Sequence, residues 1–190
     1  MNKIGLFGGT FNPPHLGHYY AAESVLKELG LEKIIFIPAF ISPLKNEGEE
    51  SFINERVKML KIAIEDNTLF EISTFEAEKK DISFTIDTLK YFKKMNPEIN
   101  YYLIIGVDSF NNLTKWKNYQ KLNNYGKLVV MNRGDEKINE NIISDYIKVT
   151  IPNIPISSSL IRDKIKNGES IEELVALKVR KYIIQKNLYL

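Results

Sequence analysis

Residues 3–18, KIGLFGGTFNPPHLGH, carry the clearest indication of the fold. The first part, residues 3–7, is a short apolar run that predicts a buried strand, and a helical pattern begins soon after His18. In an open parallel sheet, ligands bind beyond the carboxyl ends of the strands, and the free N–H groups at a helix start attract phosphate. We therefore expect an anion to bind where this strand gives way to the helix.

Short apolar runs rich in Ile, Val and Phe recur along the chain, and each predicts another buried strand. They occupy residues 33–37, 69–72, 101–105, 127–131 and 147–151. Between them, apolar residues with helical spacing lie within 20–29, 53–64 and 86–92. Strands that alternate with helices form βαβ units. The sequence thus predicts an α/β fold, a Rossmann-like doubly wound parallel sheet with helices on both faces.

Local signals mark the ends of the helices. Gly30 follows the first helical segment, and Asn96-Pro97 follows the third. Further on, residues 170–173 read SIEE, which has the form of a capping box and predicts a helix over residues 170–186. We expect a single domain over residues 1–190, with a C-terminal helical part from about residue 157.

The composition is that of an ordinary soluble globule, with 190 residues, 44% of them apolar and 26% charged. A net charge of +2 is too small for a polyanion-binding surface, so we expect no nucleic-acid partner. The chain has no cysteine, which excludes a thiolate nucleophile and a disulfide frame and fits a reducing cytoplasm. The longest apolar run, residues 99–107, is far shorter than the roughly 20 residues of a membrane span, and the start lacks a signal-peptide core. We expect a cytoplasmic protein that has no membrane partner.

Gly8-Gly9 and the histidine pair carry the chemistry of the first segment. Without a Cβ, both glycines allow the backbone to approach an anion closely, although a plain tight turn would also explain them. His15 and His18, the only histidines, are three residues apart and lie near one face if a helix begins there. Zinc is the alternative for this pair, but a closed structural site needs four protein ligands and the chain has no cysteine or third histidine.

A second polar segment, ISSSLIR at residues 156–162, also opens a helix. Ser157 is a good N-cap candidate, the neighbouring hydroxyls are hydrogen-bond donors, and Arg162 adds a permanent positive charge. Taken alone, this segment is better explained as a serine-capped helix with a solvated arginine.

Both segments resemble a known family. Residues 9–18, GTFNPPHLGH, resemble the signature of the nucleotidyltransferase superfamily with paired histidines, in particular that of bacterial nicotinate mononucleotide adenylyltransferases. Family members more often carry Asp where this chain has Asn12. Residues 156–162 resemble the triphosphate-binding element of the same family, with Ser159 in place of the usual Thr. The similarity continues through residues 83–89 and 104–109 to Trp116.

The resemblance implies a role for each matching position. It makes His15, His18 and Arg162 the catalytic residues. It places ATP against Gly8, Gly9, Thr10, Phe11, Lys45, Gly106, Asp108, Ile156, Ser157, Ser158 and Ser159. It places the acceptor, nicotinate mononucleotide, against Thr85, Trp116, Lys117 and Arg56, with the ring on the tryptophan and its carboxylate on the backbone N–H groups of Thr85 and Lys117.

Several of these roles have structural alternatives. Trp116, the only tryptophan, would serve equally as a core anchor, and Asp108 as a helix N-cap. Lys45 follows Leu44, where the family often has histidine, and a solvated surface lysine is its alternative. Arg56 would face the acceptor phosphate or lie on the polar face of its helix.

The implied reaction is adenylyl transfer from ATP to nicotinate mononucleotide, which gives nicotinic acid adenine dinucleotide and pyrophosphate, a step of NAD biosynthesis. The acceptor phosphate is already anionic, so no general base is needed and catalysis is mainly alignment and charge neutralisation. Magnesium should arrive on the ATP phosphates, with no metal site of the protein's own. The rivals are phosphopantetheine adenylyltransferase and a nucleotide-binding sensor of the same fold that never turns over. The sequence leaves a homo-oligomer open.

Overall fold

The computed structural model describes residues 2–43, 52–134 and 136–190. Six parallel strands form one sheet in the order β3-β2-β1-β4-β5-β6. They are β1 (Lys3–Gly9), β2 (Lys33–Pro38), β3 (Phe70–Ile72), β4 (Asn100–Gly106), β5 (Lys127–Asn132) and β6 (Ile147–Thr150). All six predicted strands are confirmed. The chain winds outward from β1 in one direction and then from β4 in the other, which makes the sheet doubly wound as predicted.

Seven helices accompany these strands in the described ranges. They are α1 (Leu16–Leu29), α2 (Ile53–Ile64), α3 (Phe75–Lys79), α4 (Thr85–Met95), α5 (Val107–Asn111), α6 (Ser158–Lys166) and α7 (Leu177–Gln185). Gly30 ends α1 in the left-handed conformation, and Asn96 ends α4, both as predicted. None of these helices has the length and apolarity to cross a membrane.

The two faces of the sheet bury separate cores. Val25 of α1 and Leu60 of α2 pack with Phe7 on one face. Leu89 of α4 and Phe110 of α5 pack on the other face, against side chains such as that of Leu6. Neighbouring residues of β1 thus point to opposite faces, and both faces are covered by helices, as the continuous apolar strands predict.

The predicted helix over residues 170–186 is wrong in its first part. Ser170 Oγ accepts the N–H of Glu172, but a turn follows, in which Leu174 N–H donates to Ile171 O, and α7 begins only at Leu177. The carbonyl of Leu174 accepts the N–H of Leu16 at 3.0 Å, which satisfies a donor in the first turn of α1. Tertiary contacts therefore override the local capping signal.

The C-terminal helices pack against α2. Ile161, Val179 and Ile183 form a third apolar cluster with Met59 of α2 and with Ile156. Ser157 is the N-cap of α6, the first of these helices. This cluster brings the end of the chain to the loop between β1 and α1.

Candidate functional site

The site lies at the carboxyl ends of β1 and β4, where the two halves of the sheet diverge. Phe7 in β1 pairs with Ile104 in β4, and the chain then leaves β1 for α1 on one face and β4 for α5 on the other. This divergence is the crevice in which ligands of doubly wound sheets bind. The position of the loop after β1 is therefore the one that the sequence predicts for a ligand site.

Gly8 and Gly9 are the last residues of β1, so the tight-turn alternative is wrong. A Cβ on Gly9 would lie 3.0 Å from the ring of Phe11, which is buried and has a φ of 49°. Nothing lies within 4 Å of a Cβ built on Gly8, which lines an open cavity. Gly9 thus lets the loop fold back, and Gly8 leaves backbone accessible to a ligand.

The histidines sit at the start of α1. His15 is its N-cap residue, and His18 Nδ1 accepts the backbone N–H of His15 at 3.3 Å. A neutral His18 ring must therefore carry its proton on Nε2, where it is a donor. The two rings stack, with centroids 3.6 Å apart and planes 28° from parallel. A closed zinc site needs four protein ligands, and no three His, Asp or Glu side chains of the described residues gather as a metal site.

His15 is buried with 8% of its surface exposed, and its Nδ1 has no hydrogen-bond partner within the described ranges. Burial lowers the pKa of its imidazole from 6.5 to about 4, and the positive charge of Arg133 contributes in the same direction. His15 is therefore neutral at pH 7.

The start of α6 docks on the loop between β1 and α1. Ser157 Oγ accepts the N–H of Leu160 at 3.1 Å, which confirms the predicted N-cap. Ser158 Oγ donates to the carbonyl of Pro13 at 2.9 Å, and Arg162 donates to the carbonyl of Asn12 at 2.7 Å. The two segments that the sequence singled out, separated by about 150 residues, thus meet in space.

Arg162 is half-buried, and its second guanidinium nitrogen donates to Ser159 Oγ at 3.2 Å. The guanidinium is thus held in one place from two sides, which is the preorganisation that an anion site needs. Arg162 is not a solvated arginine of a plain capped helix.

A cavity of about 330 Å³ opens beside the loop, on the α4 side of the sheet. This volume is in the range of small-molecule sites. Of the predicted site residues, its walls include Gly8, Gly9, Thr10, His18, Thr85, Gly106, Trp116 and Lys117. The cavity therefore joins the first signature to the residues expected at the acceptor.

Trp116 is half-buried, packs against the core on the α4 side and lines the cavity. It is both a core contact and a cavity wall, so the two interpretations are compatible. Thr85 is the first residue of α4, where helix amides have no intrahelical acceptor. The ammonium of Lys117 pairs with Asp87 at 3.1 Å and lies 4.3 Å from the centre of the Phe84 ring.

For two predicted site residues the structure excludes an interpretation that the sequence offered, and a third lies outside the described residues. Asp108 is an exposed residue of α5 whose N-cap is Gly106, so its N-cap alternative is wrong. Arg56 is fully buried and donates to the carbonyls of Thr10 at 2.7 Å and Phe40 at 3.1 Å. Its guanidinium therefore neither faces an acceptor phosphate nor lies on a polar surface. Lys45 lies outside the described residues.

Sequence reasoning missed two buried contacts of the site. Glu76 lines the cavity with only 7% of its surface exposed. Tyr189 donates its hydroxyl to Asn12 Oδ1 at 2.6 Å. Glu76 lies in a run of charged residues, which is typical of a solvated surface, and Tyr189 lies next to the end of the chain. Neither position carries a local signal.

Comparison with known proteins gives a consistent result. The cytidylyltransferase-like family matches residues 6–164. A probable nicotinate-nucleotide adenylyltransferase of Clostridium tetani is 39% identical over 199 aligned residues, covering 100% of both chains. One of Bacillus licheniformis is 39% identical and covers 100% of this chain and 99% of its own length.

A solved structure supports the same fold. Nicotinic acid mononucleotide adenylyltransferase of Plasmodium falciparum, complexed with NaAD, superposes with a TM-score of 0.80 at 24% identity, covering 100% of this chain and 98% of its own. The two chains therefore share their fold over almost their whole length. The chain belongs to the cytidylyltransferase-like family and, within it, to the nicotinate-nucleotide adenylyltransferases.

Proposed function

We propose that this enzyme transfers the adenylyl group of ATP to nicotinate mononucleotide at the junction of β1, α1 and α6. The observation that carries the proposal is the docking of Arg162 and Ser158 on the loop that ends in His15 and His18. A triphosphate at this junction would meet imidazole and hydroxyl donors, a guanidinium and helix-start amides. These groups favour bound negative charge.

In the reaction, an oxygen of the acceptor 5′-phosphate attacks the α-phosphorus of ATP. A new P–O bond forms, the bond to the β-phosphate bridging oxygen breaks, and pyrophosphate leaves with the electron pair. The nucleophile is anionic, so no proton has to be removed from it. The His18 Nε2–H and the Arg162 guanidinium stabilise the charge that develops on the transferring and leaving phosphates.

Magnesium enters as part of the substrate, bound to the ATP phosphates. The groups near the loop are imidazoles, hydroxyls, amides and a guanidinium, whereas Mg²⁺ prefers oxygen ligands and keeps several waters. The protein groups therefore complement the phosphate oxygens that the metal leaves uncovered.

The acceptor ring lies against Trp116 in the cavity. Its carboxylate accepts hydrogen bonds from the backbone N–H groups of Thr85 and Lys117. Nicotinamide would turn an NH2 group toward one of these donors, and an unsatisfied donor costs about 1–3 kcal/mol. The cavity should thus favour nicotinate over nicotinamide by roughly tenfold to a hundredfold.

The test is to incubate the purified protein with Mg-ATP and, separately, nicotinate mononucleotide, nicotinamide mononucleotide or phosphopantetheine, and to follow pyrophosphate. Nicotinate mononucleotide should give the fastest release, with one dinucleotide formed per pyrophosphate. Equal rates with the amide would overturn the substrate preference. Fastest release with phosphopantetheine would overturn the acceptor, and no release with any acceptor would overturn catalysis in favour of a sensor.

A further inference from the structure

Glu76 is a buried carboxylate in the wall of the acceptor cavity that the reaction above does not use. It lies in the short helix α3, where its neighbours Glu78 and Lys79 are exposed. Burial raises the pKa of Glu76, while hydrogen bonds from Thr88 and Ser83 act in the opposite direction. A carboxyl group is rarely buried unless its oxygens are satisfied, so its partners show what it holds.

Those partners bracket the first turn of α4. Thr88 Oγ1 donates to Glu76 Oε1 at 2.5 Å, and the Ser83 hydroxyl is close enough to the carboxyl group to lower its pKa. Ser83 is two residues before Thr85, and Thr88 is three residues after it. The side chain of Glu76 therefore faces residues on both sides of the Thr85 amide and is hydrogen-bonded to the first turn of α4.

The network continues from Ser83 to the loop after β1. Ser83 Oγ accepts the N–H of Phe40 at 3.0 Å. The carbonyl of Phe40 accepts from Arg56, which also donates to the carbonyl of Thr10 at 2.7 Å. Arg56 is fully buried, and Ser83 and Thr88 are buried as well. Polar groups in such surroundings keep one arrangement, because breaking any bond would leave a buried group unsatisfied.

We propose that Glu76 is the positioning residue of the acceptor subsite: through Ser83 and Thr88 it holds the first turn of α4, and with it the Thr85 amide, at the distance from Trp116 that a ring carboxylate requires. This inference rests on the proposed function. It adds the source of selectivity, since an amide displaced by about 1 Å no longer distinguishes a carboxylate from a carboxamide.

The decisive variant is Glu76→Gln, which keeps the size of the side chain but replaces one acceptor oxygen by an NH2 group. We expect the KM for nicotinate mononucleotide to rise about tenfold, as for a misplaced hydrogen bond, while the KM for ATP and kcat stay within about twofold. The preference for nicotinate over nicotinamide mononucleotide should fall by the same factor. Thr88→Val removes one donor to Glu76 without changing the shape of the side chain. It should raise the KM for nicotinate mononucleotide about threefold and lower the preference for nicotinate by the same factor.

The control is Glu78→Gln, which makes the same chemical change on the same helix at an exposed position. It should leave every constant unchanged. Trp116 is the only tryptophan, so its fluorescence provides a binding assay for both mononucleotides that needs no turnover.

The outcomes separate the two proposals. If Glu76→Gln and Thr88→Val lower the melting temperature but leave the affinities and their ratio unchanged, Glu76 only stabilises the fold and this inference is wrong. If the wild-type protein neither binds nor adenylylates a pyridine mononucleotide, the proposed function fails first. A variant that binds both mononucleotides equally while the wild type prefers nicotinate supports the inference.

Discussion

The loop after β1 and the acceptor cavity lie side by side but are built differently. The loop is held by the far end of the chain, through Arg162 on Asn12, Ser158 on Pro13 and Tyr189 on Asn12. The cavity is lined by the start of α4, which is hydrogen-bonded to Glu76 of α3, and by the segment around Trp116, which Lys117 joins to Asp87 of α4. The loop thus depends on contacts with the C-terminal part of the chain, whereas the cavity is lined by segments that follow the strands of the sheet.

This difference predicts two kinds of defect. The loop after β1 is held by hydrogen bonds, so its donors are preorganised for the charge that develops during the reaction. Substitutions in the loop or in the residues that hold it should therefore lower kcat. Changes in the cavity wall affect a substrate that is bound equally before and during the reaction, so they should raise the acceptor KM.

The largest effect should come from His18→Ala. Loss of one well-placed donor to a developing charge lowers kcat by about 10² or more. The fluorescence titration of Trp116 with nicotinate mononucleotide should be almost unchanged, because Trp116, Thr85 and Lys117 are the groups proposed to bind the acceptor ring and they remain in the variant.

His18 also caps its helix, since Nδ1 accepts the His15 amide. His18→Asn separates the two roles, because the asparagine Oδ1 takes the place of Nδ1 while the Nε2 donor is lost. Compared with His18→Ala, His18→Asn should restore the unfolding free energy that the cap contributes, about 1 kcal/mol, but it should not restore kcat. Recovery of kcat by the asparagine would assign the effect to helix capping and remove His18 from catalysis.

Trp116→Ala should raise the KM for nicotinate mononucleotide about tenfold, since ring contacts of this kind contribute on the order of 1–1.5 kcal/mol. Trp116→Phe keeps a flat ring in contact with the core and should raise it only about threefold. The KM for ATP should stay constant in both variants in steady-state assays. A parallel rise in the two KM values would contradict the division between loop and cavity.

Some of these positions could be predicted from sequence and others could not. The strands follow from runs of β-branched and aromatic residues, and the resemblance of two motifs to signatures of one family predicts a shared site, where Arg162 contacts the loop after β1. Arg56 could not be placed, because its acceptors are carbonyls of two separate loops. The donor to Glu76 is Thr88, twelve residues away, and the carbonyl of Leu174 accepts from Leu16, at the other end of the sequence. Contacts that form only when the chain folds leave no local pattern in the sequence.

The pH dependence of stability should report His15. Its folded pKa of about 4 lies below 6.5, so between these values the unfolded chain binds more protons than the folded one. The contribution of neutral His15 to the free energy of unfolding is therefore fully present above about pH 6.5. It decreases as the pH falls, by about 2 kcal/mol at pH 5. Urea unfolding of the wild type and of His15→Asn, which keeps an N-cap side chain, measures the difference. Equal losses between pH 7.5 and 5 in both proteins would show that other groups account for the acid sensitivity.

We expect the smallest effect from Tyr189→Phe. This variant tests whether the C-terminal contacts with the loop after β1 contribute to catalysis. The variant removes only the hydroxyl that donates to Asn12 Oδ1, and burial raises the pKa of this phenol, so the hydroxyl is protonated at neutral pH. Loss of one hydrogen bond should lower the unfolding free energy by about 1 kcal/mol. Because the carbonyl of Asn12 also holds Arg162, kcat should fall about threefold while the acceptor KM stays constant.

Tyr182→Phe is the matched control, since Tyr182 is also a C-terminal tyrosine with a hydrogen-bonded hydroxyl, which donates to Glu55 at 2.5 Å and not to the loop. It should lose similar stability, about 1 kcal/mol, with no change in kcat. If both variants change stability and kcat alike, the C-terminus only stabilises the fold. If Tyr189→Phe alone lowers kcat, Tyr189 helps to position the loop after β1. Its hydrogen bond to Asn12 then contributes to catalysis.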